Sequence, residues 1–593
     1  MTIHALGQEL VFYGTSYVQG EASGQLIASD VELSFWGGVS PHTSEIIDRH
    51  HPLSGHHLHG SVLAIPGGRG SCTGSTVMLE ILLSGKAPSA LVFERREDIL
   101  TLGVIVAEEI FGKSIPVVTL DPKDFRELLR HNGRHIHIEN DQVSTRHMFP
   151  SKSKFPPSTQ ITNILANEID LTDFDKALLD GAHGDAARAA MRIVVRLAIV
   201  LGATELMDVT QVHVDGCIYT GPGSLAFAEN LRDRGGKVRV PTSLNSISVD
   251  KNLRRVQGVS EEFSTAAGKL ADAYTDMGAR PTFTCAPYQL ETAPKLGEQV
   301  AWAESNAVVY ANSVLGARTM KYPDFLDISI ALTGRAPKGG PHVDINRLAS
   351  VVVKAPNIQK TDIDDSFYPL LGCQVGKFST SQIPVVVGLE SFEPTLDDLK
   401  AFGAAFATIS SAPMFHIVGV TPEAPTLDAT LSKGLVVRSV EIHLDDMIKC
   451  WESLNGASDQ IVDLVSLGNP HFSFAEIEKL ASLCRNHIKD KNVAVMVTCG
   501  RTTYASACTA GLVDELEAFG VQFITDTCWC MITDPTIPGS QNAIMTNSGK
   551  YAHYGPGLTG KSFYFGSLAR CVEAACGGGY VNIRPRWLER GRI

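Results

Sequence analysis

The chain has no C-x-x-C pair. Its twelve cysteines are scattered over 593 residues without disulfide-framework spacing, which excludes a zinc ribbon and a disulfide-stapled scaffold and leaves thiols or metal ligands. A cationic surplus is also missing. Lys plus Arg number 51 against 64 Asp plus Glu, a net charge of −13, so no broad basic surface exists for a nucleic-acid backbone or anionic lipid, and any anionic substrate must be met by local groups. Long apolar runs are absent too: the most apolar helical candidate, Met191 to Met207, carries Arg192 and Arg196 and is too short and too charged to span a bilayer. The first residues, Met1-Thr2-Ile3-His4-Ala5-Leu6-Gly7, lack a basic region followed by an apolar stretch. These absences predict a soluble cytoplasmic protein that binds neither nucleic acid nor membrane.

What is present is an ordinary globular composition, 44% hydrophobic and 19% charged, in a chain long enough for roughly two to four domains. From about residue 60 to 130 strand-like runs (Ser61–Pro66, Ala90–Phe93, Ile115–Leu120) alternate with helix-like stretches (Thr73–Leu83, Arg96–Phe111, Pro122–Leu129), the pattern of a compact α/β module. Leu10–Tyr13, Val31–Phe35 and His135–Glu139 read as further strands. A Pro/Ser/Lys-rich stretch without periodicity follows, so the expected organisation is a small domain over 1–143, a linker over 144–160 and a large body over 161–593. In the body, Thr172–Asp180 and Asp185–Leu201 read as helices. Gln211–Val214, Val238–Pro241, Val385–Gly388, Phe415–Val420, Val493–Thr498 and Val521–Thr525 read as strands of a large α/β fold.

The most informative segment is Pro66-Gly67-Gly68-Arg69-Gly70-Ser71-Cys72-Thr73-Gly74-Ser75, where an apolar run, Val62 to Ile65, enters a glycine-rich turn and then a helix. Glycines allow close backbone approach, and a helix start offers unpaired N–H donors to a carboxylate or phosphate. The turn lacks both G-x-G-x-x-G spacing and a following Gly-Lys-Ser/Thr, which speaks against nucleotide binding; a ligand-free strand-to-helix connection is the alternative. His213 and Asp215 share one side if their strand continues, and could orient a substrate or a base. Trp302-Ala303-Glu304-Ser305-Asn306-Ala307 and Thr546-Asn547-Ser548-Gly549-Lys550-Tyr551-Ala552-His553-Tyr554 are rich in donors and acceptors suited to a small polar acid, or are solvated loops. Cys285, Cys528, Cys530 and Cys571 stand in Thr284-Cys285-Ala286-Pro287-Tyr288, Asp526-Thr527-Cys528-Trp529-Cys530 and Phe565-Gly566-Ser567-Leu568-Ala569-Arg570-Cys571; taken singly each reads as a buried core thiol.

In this order the segments, together with N-S-V-L-G-A-R-T, A-L-T-G-R-x-P and F-H-I-V-G-V-T-P-E-A, resemble aconitase X, the dehydratase branch of the aconitase superfamily, over nearly the whole chain. The resemblance implies an α/β fold: a small swivelling β/α domain followed by a large multidomain aconitase-like α/β body, with the active site between them. Single-chain members of the family look like cis-3-hydroxy-L-proline dehydratases and two-subunit archaeal members dehydrate mevalonate 5-phosphate. The fused arrangement favours the proline derivative, a small hydroxy amino acid, with the phosphate substrate as alternative. Ser71 is implied as base, with Arg69 as the nearest cation to hold its alkoxide. An iron–sulfur cluster on Cys285, Cys528 and Cys571 is implied as Lewis acid, 2Fe-2S by likeness to fused members, with 4Fe-4S and 3Fe-4S as alternatives. Cys72 and Cys530 are rival ligands. Substrate contacts are expected from Gly70, Cys72, Glu304, Ser305, Asn306 and Lys550, with His213, Asp215 and His553 as second choices. Gly468-Asn469-Pro470-His471 stands where two-subunit relatives tend to carry G-C-P-H, one thiol fewer. The protein is expected as a monomer or small homo-oligomer. An RNA-binding iron sensor is the reading of another class, and the acidic balance argues against it.

Overall fold

The structure, a computed structural model, describes residues 10–145, 168–253, 257–432, 434, 436–457, 461–532, 536–537, 542–580 and 582–589. Most of the expected 144–160 linker falls outside them. The chain divides into two compact units, one formed by Met1–Asp208, Thr220–Gly236 and Pro323–Lys338, the other by Val209–Tyr219, Lys237–Tyr322 and Gly339–Ile593.

The first unit holds an eight-stranded sheet in the order Val11–Tyr13, Gln142–Ser144, His135–Glu139, Glu21–Ala28, Val62–Ile65, Ala90–Phe93, Val117–Thr119, Thr15–Val18. The strands from Glu21–Ala28 to Val117–Thr119 are parallel, with Val62 opposite Ala90 and Leu91 opposite Val117. Val62–Ile65 and Ala90–Phe93 are buried at every position, as continuous apolar runs must be when helices cover both faces of a parallel sheet. The helices between them, Gly74–Leu83 and Ile99–Phe111, pack on each other. Pro122–Leu129 starts where Asp121 accepts the N–H groups of Lys123 and Asp124 at 2.9 and 3.0 Å. Beyond the sheet, the helix Asp185–Leu201 packs on Ile99–Phe111, and buried Arg196 fixes that contact with ion pairs to Glu108 at 2.7 Å and Glu109 at 3.0 Å.

Val31–Phe35 was expected as a strand and is not one. It forms an isolated bridge, Leu33 to Gly68, because its carbonyls serve the glycine turn: Arg69 Nε donates to Glu32 O at 3.0 Å and Arg69 N–H to Leu33 O at 3.4 Å. The long strand Glu21–Ala28 was not anticipated; polar residues on its exposed positions interrupt the apolar run.

The second unit contains three parallel sheets. One is ordered Thr242–Leu244, Val212–Val214, Ala301–Trp302; the second His416–Ile417, Pro384–Val387, Val351–Lys354, Arg438–Glu441; the third Val521–Ile524, Ala494–Cys499, Leu464–Phe472, Ala543–Thr546, Ser562–Phe565. Apolar cores fill the space between sheets and helices, with Phe367, Phe402, Phe406, Phe415 and Trp451 in one and Val465, Val497, Phe523 and Met545 in another. The strand expected at Val238–Pro241 begins instead at Thr242. Pro241 has no N–H to give the ladder, but its carbonyl accepts from Val212 at 2.9 Å. Among the described residues no helix is long and apolar enough to cross a membrane.

Candidate functional site

In the first unit the glycine turn leaves the carboxyl end of a central parallel strand, the end at which such sheets bind ligands. Gly70 turns the chain at φ 81°, which a residue with a Cβ adopts only with strain. A Cβ on Gly68 would lie 2.6 Å from Glu97 Oε1 and one on Gly74 2.9 Å from Ile99 Cγ2, so the turn is seated tightly on the start of the neighbouring helix. Ser71 is 8% exposed. Its Oγ donates to Thr73 Oγ1 at 3.0 Å and accepts from the Thr73 N–H at 3.3 Å. The Cys72 carbonyl accepts from the Asp324 N–H at 3.3 Å and Ser75 Oγ at 3.0 Å, anchoring the turn within its unit. The guanidinium of Arg69, expected to hold the Ser71 oxygen, is engaged by other groups: it donates to Glu32 O and to Asp48 Oδ2, each at 3.0 Å. Gly70, at φ 81°, turns the chain between the two residues, so Arg69 and Ser71 need not share an environment.

In the second unit, polar residues converge at the carboxyl ends of two of its sheets. Val212–Val214 leads to Asp215, Thr242–Leu244 to Asn245, Ala301–Trp302 to Glu304, Leu464–Phe472 carries Asn469 and His471 at its end, Val521–Ile524 leads to Cys528 and Ala543–Thr546 to Lys550. Glu304 Oε1 accepts from Lys550 Nζ at 2.8 Å and from Asn306 Nδ2 at 2.6 Å. Asn306 also donates to Cys285 O at 3.1 Å and accepts from the Tyr288 hydroxyl at 2.9 Å. Asn245 Nδ2 bridges Asp215 and Glu304. Burial works against the Glu304 carboxylate, but Lys550 outweighs it and holds the carboxyl below its usual range. Burial likewise opposes the Lys550 charge, and Glu304 with Cys530 and Cys528 raises its pKa well above normal. His213 Nδ1 meets Ser243 Oγ at 2.8 Å, and burial pushes this imidazole down to about 3, so it is neutral. Ser305 opens the short buried helix Ser305–Tyr310. His553 is half-buried on the helix Gly549–Thr559 with its ring edge-on to Tyr554.

Three thiols lie in this network. Cys528 contacts both Cys285 and Cys530. Burial opposes ionisation of Cys285, yet the Cys528 contact and nearby positive charge bring its thiol down to about 5. Cys530 is lowered too, by Cys528 against burial, while Cys528 itself is driven well up. The His471 N–H donates to Cys285 Sγ and Asn469 Nδ2 to Cys530 Sγ, both at 3.3 Å. Cys571 does not join them. It lies on the face of Leu568–Gly577 shared with Leu568, Val572 and Ala575, packed into the apolar cluster of Val465, Val497 and Met545, and burial pushes its thiol well up. Helical spacing makes it a core position; the thiol beside Cys285 and Cys528 is Cys530. Among the described residues no three His, Cys, Asp or Glu side chains converge as ligands of a single metal ion. Three buried thiols in contact, with N–H donors aimed at two of them, have the chemistry of a thiolate-ligated group.

Residues 11–145 match the family described as aconitase X swivel domain, and 168–345, 349–452 and 462–577 match the aconitase X first, second and third domains. The chain belongs to the aconitase X family. It is 62% identical, over 98% of its own length and 97% of the relative's, to a cis-3-hydroxy-L-proline dehydratase of Hypocrea jecorina. With one of the same name from Pseudomonas aeruginosa it shares 49% identity over 96% and 97% of the two chains. The solved structure of Thermococcus kodakaraensis aconitase X in its holo form is similar to it with a TM-score of 0.62 and 29% identity, covering 69% of this chain and all of that one. The fold is that of this family, an α/β multidomain chain with an N-terminal swivel domain.

Sequence reasoning missed Asn245 and Tyr288, which hold Glu304 and Asn306. Asn245 follows a strand displaced by Pro241, and Tyr288 lies in the short turn Pro287–Gln289; neither had a pattern of its own.

Proposed function

We propose that this chain is a hydro-lyase converting cis-3-hydroxy-L-proline to Δ1-pyrroline-2-carboxylate. The observation that carries this reading is the pair of near full-length relatives bearing that activity in their names, joined to a buried carboxylate–ammonium pair set among three thiols. In the reaction the Cα–H and C3–O bonds break, the electron pair forms the ring double bond, hydroxide leaves and takes up a proton as water, and the enamine tautomerises to the imine.

Ser71 removes the Cα proton. A free serine hydroxyl is far too weak a base at neutral pH, so its alkoxide needs donors. The Thr73 N–H and the positive end of the helix Gly74–Leu83 supply them in this chain; Arg69, committed to Asp48, instead braces the turn. Lys550 receives the substrate carboxylate, and Glu304 and Asn306 the ring nitrogen and hydroxyl. Gly70 and Cys72 shape the turn, Ser305 opens the helix that follows Glu304, and Asp215 holds Asn245 against Glu304. An iron–sulfur cluster of 2Fe-2S type, on Cys285, Cys528 and Cys530, supplies when bound the Lewis acid for the leaving hydroxyl.

The test is anaerobic purification with iron and sulfide counts, followed by an imine assay on each hydroxyproline isomer and a parallel assay on mevalonate 5-phosphate. Imine from the cis-3 isomer and no turnover of the phosphate are expected. The reverse preference would overturn the reading.

A further inference from the structure

His471 is fully buried, and every polar atom it has is engaged. Its Nε2 meets the Thr527 carbonyl at 2.8 Å and its Nδ1 the Thr284 hydroxyl at 3.1 Å. A carbonyl can only accept, so Nε2 carries a proton, and Nδ1 shares a hydrogen bond with the Thr284 hydroxyl. Thr284 immediately precedes Cys285, and Thr527 immediately precedes Cys528. One imidazole therefore ties together the two loops that carry these thiols. Its backbone acts on the same place: the His471 N–H donates to Cys285 Sγ at 3.3 Å, and its carbonyl accepts from Gln289 Nε2 at 3.2 Å and from Lys400 Nζ at 3.4 Å. The Thr284 hydroxyl passes the restraint on by accepting from the Ala286 N–H at 3.1 Å, so the Cys285 peptide is fixed from both sides.

We propose that His471 is a positioning residue that holds the Cys285 and Cys528 loops in register, so that the two sulfurs are arranged for their ligand before it arrives. The proposal rests on the thiol assignment made under the proposed function but concerns the loops, and so can be tested with and without metal. The Cys285 segment follows the helix Glu261–Asp276 and the Cys528 loop the strand Val521–Ile524, so the two have no covalent reason to keep a fixed separation. A side chain with a polar nitrogen on each of two edges can bond both, and imidazole is rigid enough to transmit the spacing.

Three variants test it. His471→Phe keeps the bulk and removes both side-chain bonds, His471→Gln restores a donor toward Thr527, and Thr284→Val removes the Nδ1 bond from the other side. In metal-free protein that retains the wild-type far-UV circular dichroism, alkylation of Cys285 and Cys528 is followed by mass spectrometry. In anaerobically reconstituted protein, iron release to a chelator is followed by visible absorbance. Expected are a roughly tenfold or greater acceleration of both in His471→Phe, the scale usual for loss of a group that supports metal ligands, a smaller acceleration in Thr284→Val, and partial rescue in His471→Gln. Wild-type alkylation rates in folded His471→Phe, or in Thr284→Val should the phenylalanine variant not fold, would overturn the proposal. Wild-type protein that binds no iron or sulfide would instead count against the cluster, while the alkylation result would still judge the role of His471.

Discussion

Lys550 Nζ stands 2.8 Å from Glu304 Oε1 with both side chains buried. Removing one partner leaves an uncompensated charge in a low-dielectric interior, a loss of about 3–5 kcal/mol, whereas removing both leaves none. Lys550→Met is therefore expected to lower stability by about 3 kcal/mol or more, and the double variant Glu304→Gln/Lys550→Met to recover much of it without recovering turnover. Urea unfolding of the wild type, Lys550→Met, Glu304→Gln and the double variant checks this; strictly additive losses would show that the pair is not coupled.

Ser71→Ala removes the hydroxyl bonded to Thr73 and nothing from the thiol set. Turnover should fall by about 1,000-fold or more, in the range of a lost acid–base group, with iron and sulfide content unchanged. Substantial residual kcat in a fully loaded variant would exclude Ser71 as the base.

Cys530→Ser and Cys571→Ser separate the two candidates for the third thiol. The first is expected to lose most of its iron and its visible spectrum. The second should keep both and lose about 1–3 kcal/mol of stability, because a hydroxyl replaces a thiol in an apolar cluster. Iron loss confined to the Cys571 variant would reverse the assignment.

Glu97 receives the N–H groups of Ile99, Leu100 and Thr101 at the start of a helix, and burial, its largest influence, pushes the carboxyl from 4.5 up to about 7. Between those values the folded protein keeps a proton that the unfolded chain has released. Its contribution is complete below the unfolded value and is lost as pH rises through 7, by up to about 3 kcal/mol. The wild-type unfolding midpoint should consequently fall from pH 5 to pH 8 by more than that of Glu97→Gln; parallel pH profiles would refute the assignment.

Much of the small module could be read directly. Ala90–Phe93, Pro122–Leu129 and His135–Glu139 have the limits that their patterns suggest, because buried parallel strands are continuous apolar runs and Asp121-Pro122 marks a helix start on its own. Val31–Phe35 misled because its apolar residues pack beneath the glycine turn rather than in a ladder.

The sequence by itself determined the alternating parallel architecture, the glycine turn that presents Ser71 and the polar segments around Glu304 and Lys550, since hydrophobic period and turn chemistry are local properties. Tertiary structure alone decided which cysteines meet and where Arg69 points. Cys285, Cys528 and Cys530 come together because the segment after the helix Glu261–Asp276 and the loop after the strand Val521–Ile524 both bond to His471 at the end of Leu464–Phe472, and Cys571 is withheld because its helix turns that position to the core. Such choices depend on distances between distant segments, which no local pattern encodes.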